Sequence, residues 1–463
     1  MSSSLDIPIT VDRDSPVPLR EQIVSELRGA IRRGLLRPGY PMPSTRLLAQ
    51  ETGLSRNTIV AAYLELEGEG WVEGAQGSGT FVAHRDDLES TPATPRPSAA
   101  PRAIPLLDLR PGDLDPSLVA LGDWRAAWRK VVPRSAPPPA EGTPELRCAL
   151  ASYLGAARGL PCEADDIFLC AGTAEALVVL ALAFGWAGRT VAVEEPGYPA
   201  VRAALTRLGV DWIPVDATNP ELLRSNLDAL PRSVGALYIT PSHQYPLGHR
   251  LDSPVRRDLL DWAQKNGAVI VEDDYDAEFR FGVPPLPSLA GLDEGSNVVF
   301  MGTMSKVLDP GLRLTYLRVP GHLRAAVAAT RNDLGSTVAA PTQEVVADLI
   351  TTGVLTRHIA RVRKVYADRR RVMLRELKRL PAISGLRGID AGLHLVADLH
   401  SAFDTSLIAR QARARNLLIA ALDEYRVTPD PANPALVLGY AKVTPTEIKT
   451  GIGVLAEVLD RSR

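Results

Sequence analysis

Cysteine is nearly missing: three residues among 463 (Cys148, Cys162 and Cys170). They are too few and too scattered for a disulfide framework or a zinc site, and they fit a reduced, intracellular compartment. Lysine is almost as scarce, with seven residues (130, 265, 306, 364, 378, 442 and 449), so any lysine chemistry has few candidates. No positive charge is in excess. Lys and Arg total 52 against 54 Asp and Glu, a net charge of −2, which taken alone speaks against a nucleic-acid partner. The longest apolar stretch, Ala174 to Ala187, carries Glu175 and is shorter than the ~20 residues a bilayer needs. The first residues, MSSSLDIPITVDRD, lack the basic-then-apolar pattern of a signal segment. These absences predict a soluble, cytoplasmic protein with no membrane span and no metal. What is present is ordinary for a globular chain: 45% apolar and 23% charged residues. At about 150 residues per domain, that length predicts two or three domains.

Proline divides the chain. It recurs at 92, 95, 97, 101 and 105 within HRDDLESTPATPRPSAAPRAIP, among Ser, Thr and Ala. Proline locks φ and removes backbone donors, so the stretch excludes a helix or central strand. At about 3.1 Å per residue it reads as a semi-rigid linker reaching roughly 60 Å. The predicted domains are therefore 12–84, a linker at 85–105, and 106–463.

In the small domain, Leu19, Ile23, Leu27, Ala30 and Ile31 recur at helical spacing up to Gly34. Ser44 is placed to cap a second helix, Gly53 to end it, and Ser55 to cap a third from Arg56 to Glu67. Trp71-Val72-Glu73 and Thr80-Phe81-Val82 flank a glycine-rich turn, a hairpin or wing. Two helices about a glycine turn form a DNA-binding unit. The third helix presents Arg56, Asn57 and Thr58 at its N-terminus, where a recognition helix meets base edges. Arg grips guanine and Asn grips adenine bidentately. Arg46 suits a phosphate contact, and Gly77 and Gly79 let the wing backbone approach a groove. A three-helix protein-interaction module has the same helix pattern. The residues go further: Pro43-Ser44-x-Arg46-x-Leu48-Ala49, Ser55-Arg56-x-Thr58, Ala62-Tyr63-x-x-Leu66, Glu69-Gly70 and Gly77-x-Gly79-Thr80-Phe81-Val82 closely resemble the winged-helix domain of the GntR family of bacterial regulators. Met42 stands where that family usually has Leu, a tolerable core exchange.

In the large segment, short apolar runs alternate with helix-sized stretches: 167–169, 190–193, 236–239, 268–271 and 298–300. That pattern predicts buried strands of a mostly parallel α/β sheet, whose chemistry gathers beyond the carboxyl ends of the strands. Four groups fall there. Gly172-Thr173-Ala174 opens an apolar helix, whose N–H groups and a hydroxyl can cradle a phosphate. Glu194-Glu195-Pro196-Gly197-Tyr198 turns an aromatic toward a flat ring. Asp273 lies in a run of acids that suits either a metal or a cationic ring nitrogen. Lys306, after Gly302-Thr303-Met304-Ser305, suits a Schiff base. Each alone is ordinary, as a helix cap, a packed turn, a solvated acid run or a surface lysine. Together they form the set pyridoxal phosphate needs.

Their order, with Pro310-Gly311-Leu312-Arg313, Gly142-Thr143-x-Glu145-Leu146-Arg147 and Arg158-Gly159, resembles fold type I aminotransferases. The resemblance implies that Lys306 forms the Schiff base, Asp273 pairs with the ring nitrogen and Tyr275 bonds the phenolic oxygen. It further implies that Tyr198 stacks on the ring and that Thr173, Ala174, Thr303 and Arg313 hold the phosphate. It also implies a homodimer. A GntR-like reader joined by a linker to such a domain is similar to the MocR subfamily, as are HQYPLG (243–248) and EDDYDAEFR (272–280). Domain-swapped packing of two readers on double-stranded DNA is the arrangement expected.

Two departures matter. Tyr245 stands before Pro246-Leu247-Gly248 where aminotransferases carry Asn, and Val437 stands where their carboxylate-clamping Arg is expected. Losing such a clamp removes roughly 1.5–3 kcal/mol of carboxylate recognition. The expected effector is therefore pyridoxal phosphate itself, with control of vitamin B6 synthesis genes. Arg426 or Arg202 could stand in for the clamp. An amino-acid sensor and a working transaminase with a DNA-binding appendage are the alternatives.

Overall fold

The computed structural model describes residues 9–75, 79–84, 107–284, 287–293, 297–335 and 338–462. The linker and Gly77 lie outside these. The chain divides into two compact units, Met1–Arg102 and Ala103–Arg463.

The first unit is three helices and a hairpin: α1 (Leu19–Arg32), α2 (Thr45–Thr52), α3 (Arg56–Gly68), β1 (Val72–Ala75) and β2 (Gly79–Val82). Ser44 caps α2 by accepting from the Leu47 amide at 3.2 Å, and Gly53 ends it at φ +64°, in the left-handed region that glycine enters without strain. Ser55 caps α3 by accepting from the Thr58 amide at 3.1 Å. Ile23, Leu27 and Ile31 of α1, Leu48 of α2, Ile59, Ala62 and Leu66 of α3, and Val72 and Val82 of the hairpin share one buried core. The Tyr63 hydroxyl donates to the Pro43 carbonyl at 2.9 Å, fixing the entry to α2 against α3. β1 and β2 pair antiparallel, Val72 opposite Val82 and Ala75 opposite Gly79.

The second unit holds a seven-stranded sheet. In chain order its strands are β3 (Ile167–Cys170), β4 (Thr190–Glu195), β5 (Asp211–Asp216), β6 (Val234–Ile239), β7 (Val269–Asp274), β8 (Val298–Thr303) and β9 (Thr315–Arg318). In space the order is β3-β9-β8-β7-β6-β4-β5, with β9 antiparallel to both neighbours and the rest parallel. Val191, Val193, Ala236, Val271, Val299 and Met301 bury one face of this sheet; Ala192, Leu237, Ile239, Ile270, Val298 and Phe300 bury the other. Apolar residues on both faces are what a sheet covered by helices on each side requires. Beyond it, a 24-residue helix (Val354–Leu377) leads to an antiparallel sheet of β10 (Ile383–Arg387), β11 (His394–Leu399), β12 (Ala420–Ala421) and β13 (Ala435–Gly439), in the order β10-β11-β13-β12. The multidomain α/β class expected from the strand pattern holds. No helix among the described residues is long and apolar enough to cross a membrane.

The caps carry a prediction. Ser55→Ala removes the acceptor for the Thr58 amide and should cost the reader unit about 1 kcal/mol. This is read as an earlier thermal unfolding transition of that unit, with the larger unit's transition unmoved.

Candidate functional site

Six parallel strands point their carboxyl ends to one edge of the sheet, and the side chains there close a cavity of about 390 Å³. Thr173 and Ala174 reach it from the loop after β3, Tyr198 from the loop after β4, and Asp273 and Tyr275 from the end of β7. Thr303 and Lys306 come from the end of β8, and Arg313 from the turn before β9. All eight residues expected for a pyridoxal phosphate site therefore line one cavity. Thr240, Tyr245, Ser305, Thr315 and His394 line it as well, with Pro111, Gly112 and Asp113 from far upstream.

Gly172 explains the phosphate end. Its φ is +118°, a backbone that side chains rarely adopt, and a Cβ there would stand 2.5 Å from Arg313 Nη2, pushing the guanidinium from its place over the start of the helix Thr173–Ala183. Arg313 Nη2 donates to the Ala171 carbonyl at 2.9 Å, which docks it on that loop. Its own φ is +46°, an uncommon backbone for a non-glycine residue. A helix N-terminus beside a guanidinium is a cradle for a dianion. Thr303 also shapes the local backbone. Its hydroxyl donates to the Leu314 carbonyl at 3.2 Å and accepts from the Ser305 amide at 3.1 Å, shaping the turn that carries Lys306.

The middle of the cavity holds an acid and a base. Asp273 is 8% exposed. Burial pushes its carboxyl up to about 7, against a hydrogen bond donated by the Tyr238 hydroxyl and the nearby Lys306, which lower it; Asp274 and Asp276 raise it. Burial pulls Lys306 below the usual amine range, while Asp113, Asp273 and Asp276 pull it back up. Its Nζ donates to the Gly112 carbonyl at 2.5 Å. The Tyr275 hydroxyl lies 3.0 Å from His243 Nδ1, which is also 2.9 Å from Asp276 Oδ2. Tyr275 is thus a wall residue whose hydroxyl is engaged with a histidine. His394 lies alongside and burial pulls it down to about 4, so it is neutral at physiological pH. Behind the floor, Glu194 accepts from the Thr240 amide at 3.0 Å and from its hydroxyl at 2.5 Å, and burial pushes it up to about 8.

The carboxylate end is different. Val437 is fully buried in β13 among Leu247, Val396, Ala420, Leu422 and Tyr425. The two arginines considered as replacements do not line the cavity. Arg202 donates to the Tyr425 carbonyl at 2.9 Å and lies 3.3 Å from Glu195. Arg426 is held by Asp423 and Asp430 at 3.2 and 3.4 Å. Tyr245 fills the wall, its ring edge-on to Tyr198, Tyr275 and Tyr425 at 5.3–5.8 Å. Arg313 and Lys306 are the only cations lining the cavity among the described residues.

Sequence reasoning missed Tyr238, Thr240, Gly112 and Asp113. Tyr238 sits on a strand read only as buried, and its position opposite Val271 of β7, two residues before Asp273, is a matter of sheet register. Pro111-Gly112-Asp113 joins the site only through tertiary packing.

In the reader unit, Arg46, Arg56 and Asn57 are exposed, Ser44 and Ser55 are engaged as caps, and Gly79 has φ +111°. Arg56 Nε is 3.5 Å from Thr45 Oγ1, so the starts of α2 and α3 meet there.

Comparisons agree with both halves. Residues 19–82 match the family of bacterial regulatory proteins, gntR family, and residues 131–453 match aminotransferase class I and II. The chain is 36% identical to the HTH-type pyridoxine biosynthesis transcriptional regulator PdxR of Corynebacterium glutamicum, covering 91% of each chain. It is 31% identical to the probable rhizopine catabolism regulatory protein MocR of Rhizobium meliloti, covering 96% of this chain and 95% of that one. The fold of the second unit is that of an archaeal alanine:glyoxylate aminotransferase, with a TM-score of 0.72 and 24% identity over 78% of this chain and 92% of that one.

Glu194 yields a pH prediction. Its folded pKa, about 8, lies above its ordinary value of 4.5. The folded state therefore holds the proton more tightly, and this contribution to stability is complete below 4.5 and is lost as pH rises to about 8. Glu194→Gln keeps an acceptor but cannot ionise. Its thermal midpoint should fall less than that of the parent protein between pH 5 and pH 8.

Proposed function

Since the chain belongs to the MocR subfamily of GntR-type transcriptional regulators, we propose that its aminotransferase-like unit serves to sense pyridoxal 5′-phosphate and that it controls vitamin B6 synthesis genes. The regulator binds DNA through its winged helix. The observation that carries the sensing role is the set of cations that line the cavity among the described residues: one guanidinium at the phosphate cradle, one amine, and no third for a substrate carboxylate.

The donor set fits the cofactor. The start of the helix Thr173–Ala183, with Thr173, Ala174 and Arg313, would hold the phosphate. Lys306 would take the aldehyde, Asp273 would face the ring nitrogen and Tyr198 would lie on the ring. When bound, pyridoxal phosphate supplies an aldehyde for an amine and an electron-withdrawing ring. The chain's own residues set the conditions. Burial lowers the pKa of Lys306, which eases loss of the proton that blocks its reaction, and the Tyr238 hydrogen bond counters the burial that raises Asp273. The wall of Tyr245, Tyr275 and neutral His394 offers a free carboxylate no cation. A homodimer with exchanged readers completes the proposal: two readers on one molecule gain affinity through effective concentration. Pyridoxal phosphate shifts DNA binding only if it favours one arrangement of the dimer over the other.

Titrating the cofactor-free protein with pyridoxal phosphate, alone and with amino acids, tests this by visible absorbance and by a DNA-shift assay on the protein's own upstream region. Lys306→Ala should lose both the absorbance and the DNA response. A response that needs an amino acid would replace this reading with amino-acid sensing. A working transaminase is the second reading, favoured by the intact Lys306 and Asp273; steady turnover with an amino acid and 2-oxoglutarate, abolished in Lys306→Ala, would establish it.

On the DNA side, Arg56→Ala should weaken binding by about 1–3 kcal/mol and relax sequence preference. Arg46→Ala should weaken it evenly across sequences and lower the salt slope by about one. Competition binding at several salt concentrations separates the two.

A further inference from the structure

The residues just past the linker form a strap along the cavity. Leu107 and Asp108 pair in parallel with Leu417 and Leu418. Leu109 is fully buried; its amide donates to the Leu418 carbonyl at 2.9 Å, and its carbonyl accepts from the Gly439 amide at 2.7 Å. A Cβ on Gly439 would stand 2.7 Å from the Arg110 carbonyl oxygen, so the strap lies directly on the end of β13. The chain then turns through Pro111, Gly112 and Asp113, all on the cavity wall, with φ +114° at Gly112.

The ties on this turn are few and lopsided. Asp113 pairs with Lys442 at 2.9 Å, and Lys442 is 3.5 Å from Asp108. Asp108 takes the Arg110 guanidinium through two hydrogen bonds of 3.0 and 2.9 Å. Asp115 pairs with Arg369 at 2.5 Å. These ties run within the strap or to the C-terminal part of the unit. Among the described residues, the side-chain hydrogen bond that reaches the turn from the end of the seven-stranded sheet is that of Lys306 to the Gly112 carbonyl.

We propose that the Lys306–Gly112 hydrogen bond is the readout of the site. Attachment of the cofactor's aldehyde to Lys306 releases the Gly112 turn, and the strap, continuous in sequence with the linker, carries that change toward the reader. This rests on the reading above that Lys306 is the attachment point. The bond change accounts for the release. The neutral amine adds to the aldehyde carbon, a C=N bond forms, and the aldehyde oxygen leaves as water with the two amine protons. The nitrogen then carries no proton, or, when protonated, one held in the plane of the C=N bond. A freely rotating donor has become a fixed or absent one. Gly112 loses that hydrogen bond in a half-buried place, where an unmet carbonyl costs most.

Hydrogen exchange of the full-length protein, followed by mass spectrometry with absorbance recorded on the same samples, tests the proposal. Pyridoxal phosphate should speed exchange of a peptide spanning 107–118 about tenfold, while peptides from β6 and β7 stay slow. Lys306→Met should show the fast strap without cofactor. Lys306→Arg, which keeps a donor but forms no such linkage, should show the slow strap with or without it. In DNA binding, Met should behave as the loaded protein and Arg as the unloaded one. If the cofactor's absorbance appears while strap exchange is unchanged, the proposal is overturned and the sensing reading stands. If no absorbance appears, both fall. Should Lys306→Met not fold, Lys442→Gln loosens the strap by removing the partner of Asp113, and Lys442 itself does not line the cavity. A strap that exchanges faster in that variant without a change in DNA binding overturns the coupling.

Discussion

An acid and an amine share one cavity, and the rest of the second unit is arranged around that fact. Alone, each would be driven to its neutral form by desolvation. Together they offset part of that cost, which leaves Asp273 near 7 and Lys306 below its ordinary range. Both groups are therefore adjustable: the amine can lose its proton to react, and the carboxyl can be charged when a cation faces it. Holding two such groups side by side needs a rigid frame. The adjacent, parallel β7 and β8 provide it, with Asp273 paired to Met301 in register and Lys306 three residues past the end of β8. Tyr238 on β6, the next strand over, supplies the hydrogen bond that keeps Asp273 from drifting further toward neutrality.

Much of this was legible because the relevant residues stand at chain positions where local rules apply. Strand ends followed by Gly-Thr, Asp-x-Tyr and Ser-Lys are local patterns, and a parallel sheet brings such ends to one edge whatever the detailed packing. The caps at Ser44 and Ser55 and the stop at Gly53 were legible for the same reason. What escaped depends on register and long-range contact. Tyr238 needed the pairing of β6 with β7, and Gly112 needed a strap lying nearly two hundred residues from Lys306 in sequence. Roles are harder still than places. Thr303 stands on the cavity wall as its motif implies, yet its hydroxyl serves the Ser305 turn, and the Tyr275 hydroxyl meets His243.

The missing clamp is clearer in three dimensions than in one. In sequence, Val437 removes a charge but leaves Arg202 and Arg426 as candidates to restore it. In the structure each is half-buried and already satisfied, Arg202 by a carbonyl and Glu195, Arg426 by two aspartates. Freeing Arg202 would take a donor from the Tyr425 carbonyl, and freeing Arg426 would break two ion pairs, before any ligand is gained. Tyr245 and Tyr425 occupy the wall between the cavity and β13 with rings 5.3 Å apart. The site has thus been rebuilt, with aromatic packing where a transaminase keeps charge.

The reader shows the same economy of charge. Nine arginines and ten acids in residues 1–85 give a net of −1, which made DNA look an improbable partner. The structure sorts these charges. Arg20 lies 3.2 Å from Glu65, Arg28 grips Glu69 through two hydrogen bonds, and Arg32 lies over the Trp71 ring. These arginines of α1 are consumed in holding α1 to α3 and the hairpin. Among the described residues, Arg46 and Arg56 have no carboxylate within ion-pairing distance, and both stand exposed at the helix starts that meet through Thr45. Net charge averages over arginines that build the domain and arginines that face outward, and only the second kind reaches a phosphate. A domain built this way should hold DNA through few contacts, so that a lone reader binds weakly and, in the homodimer proposed above, two readers together would decide occupancy. That is the condition under which a small change in the segment tethering each reader can act as a switch.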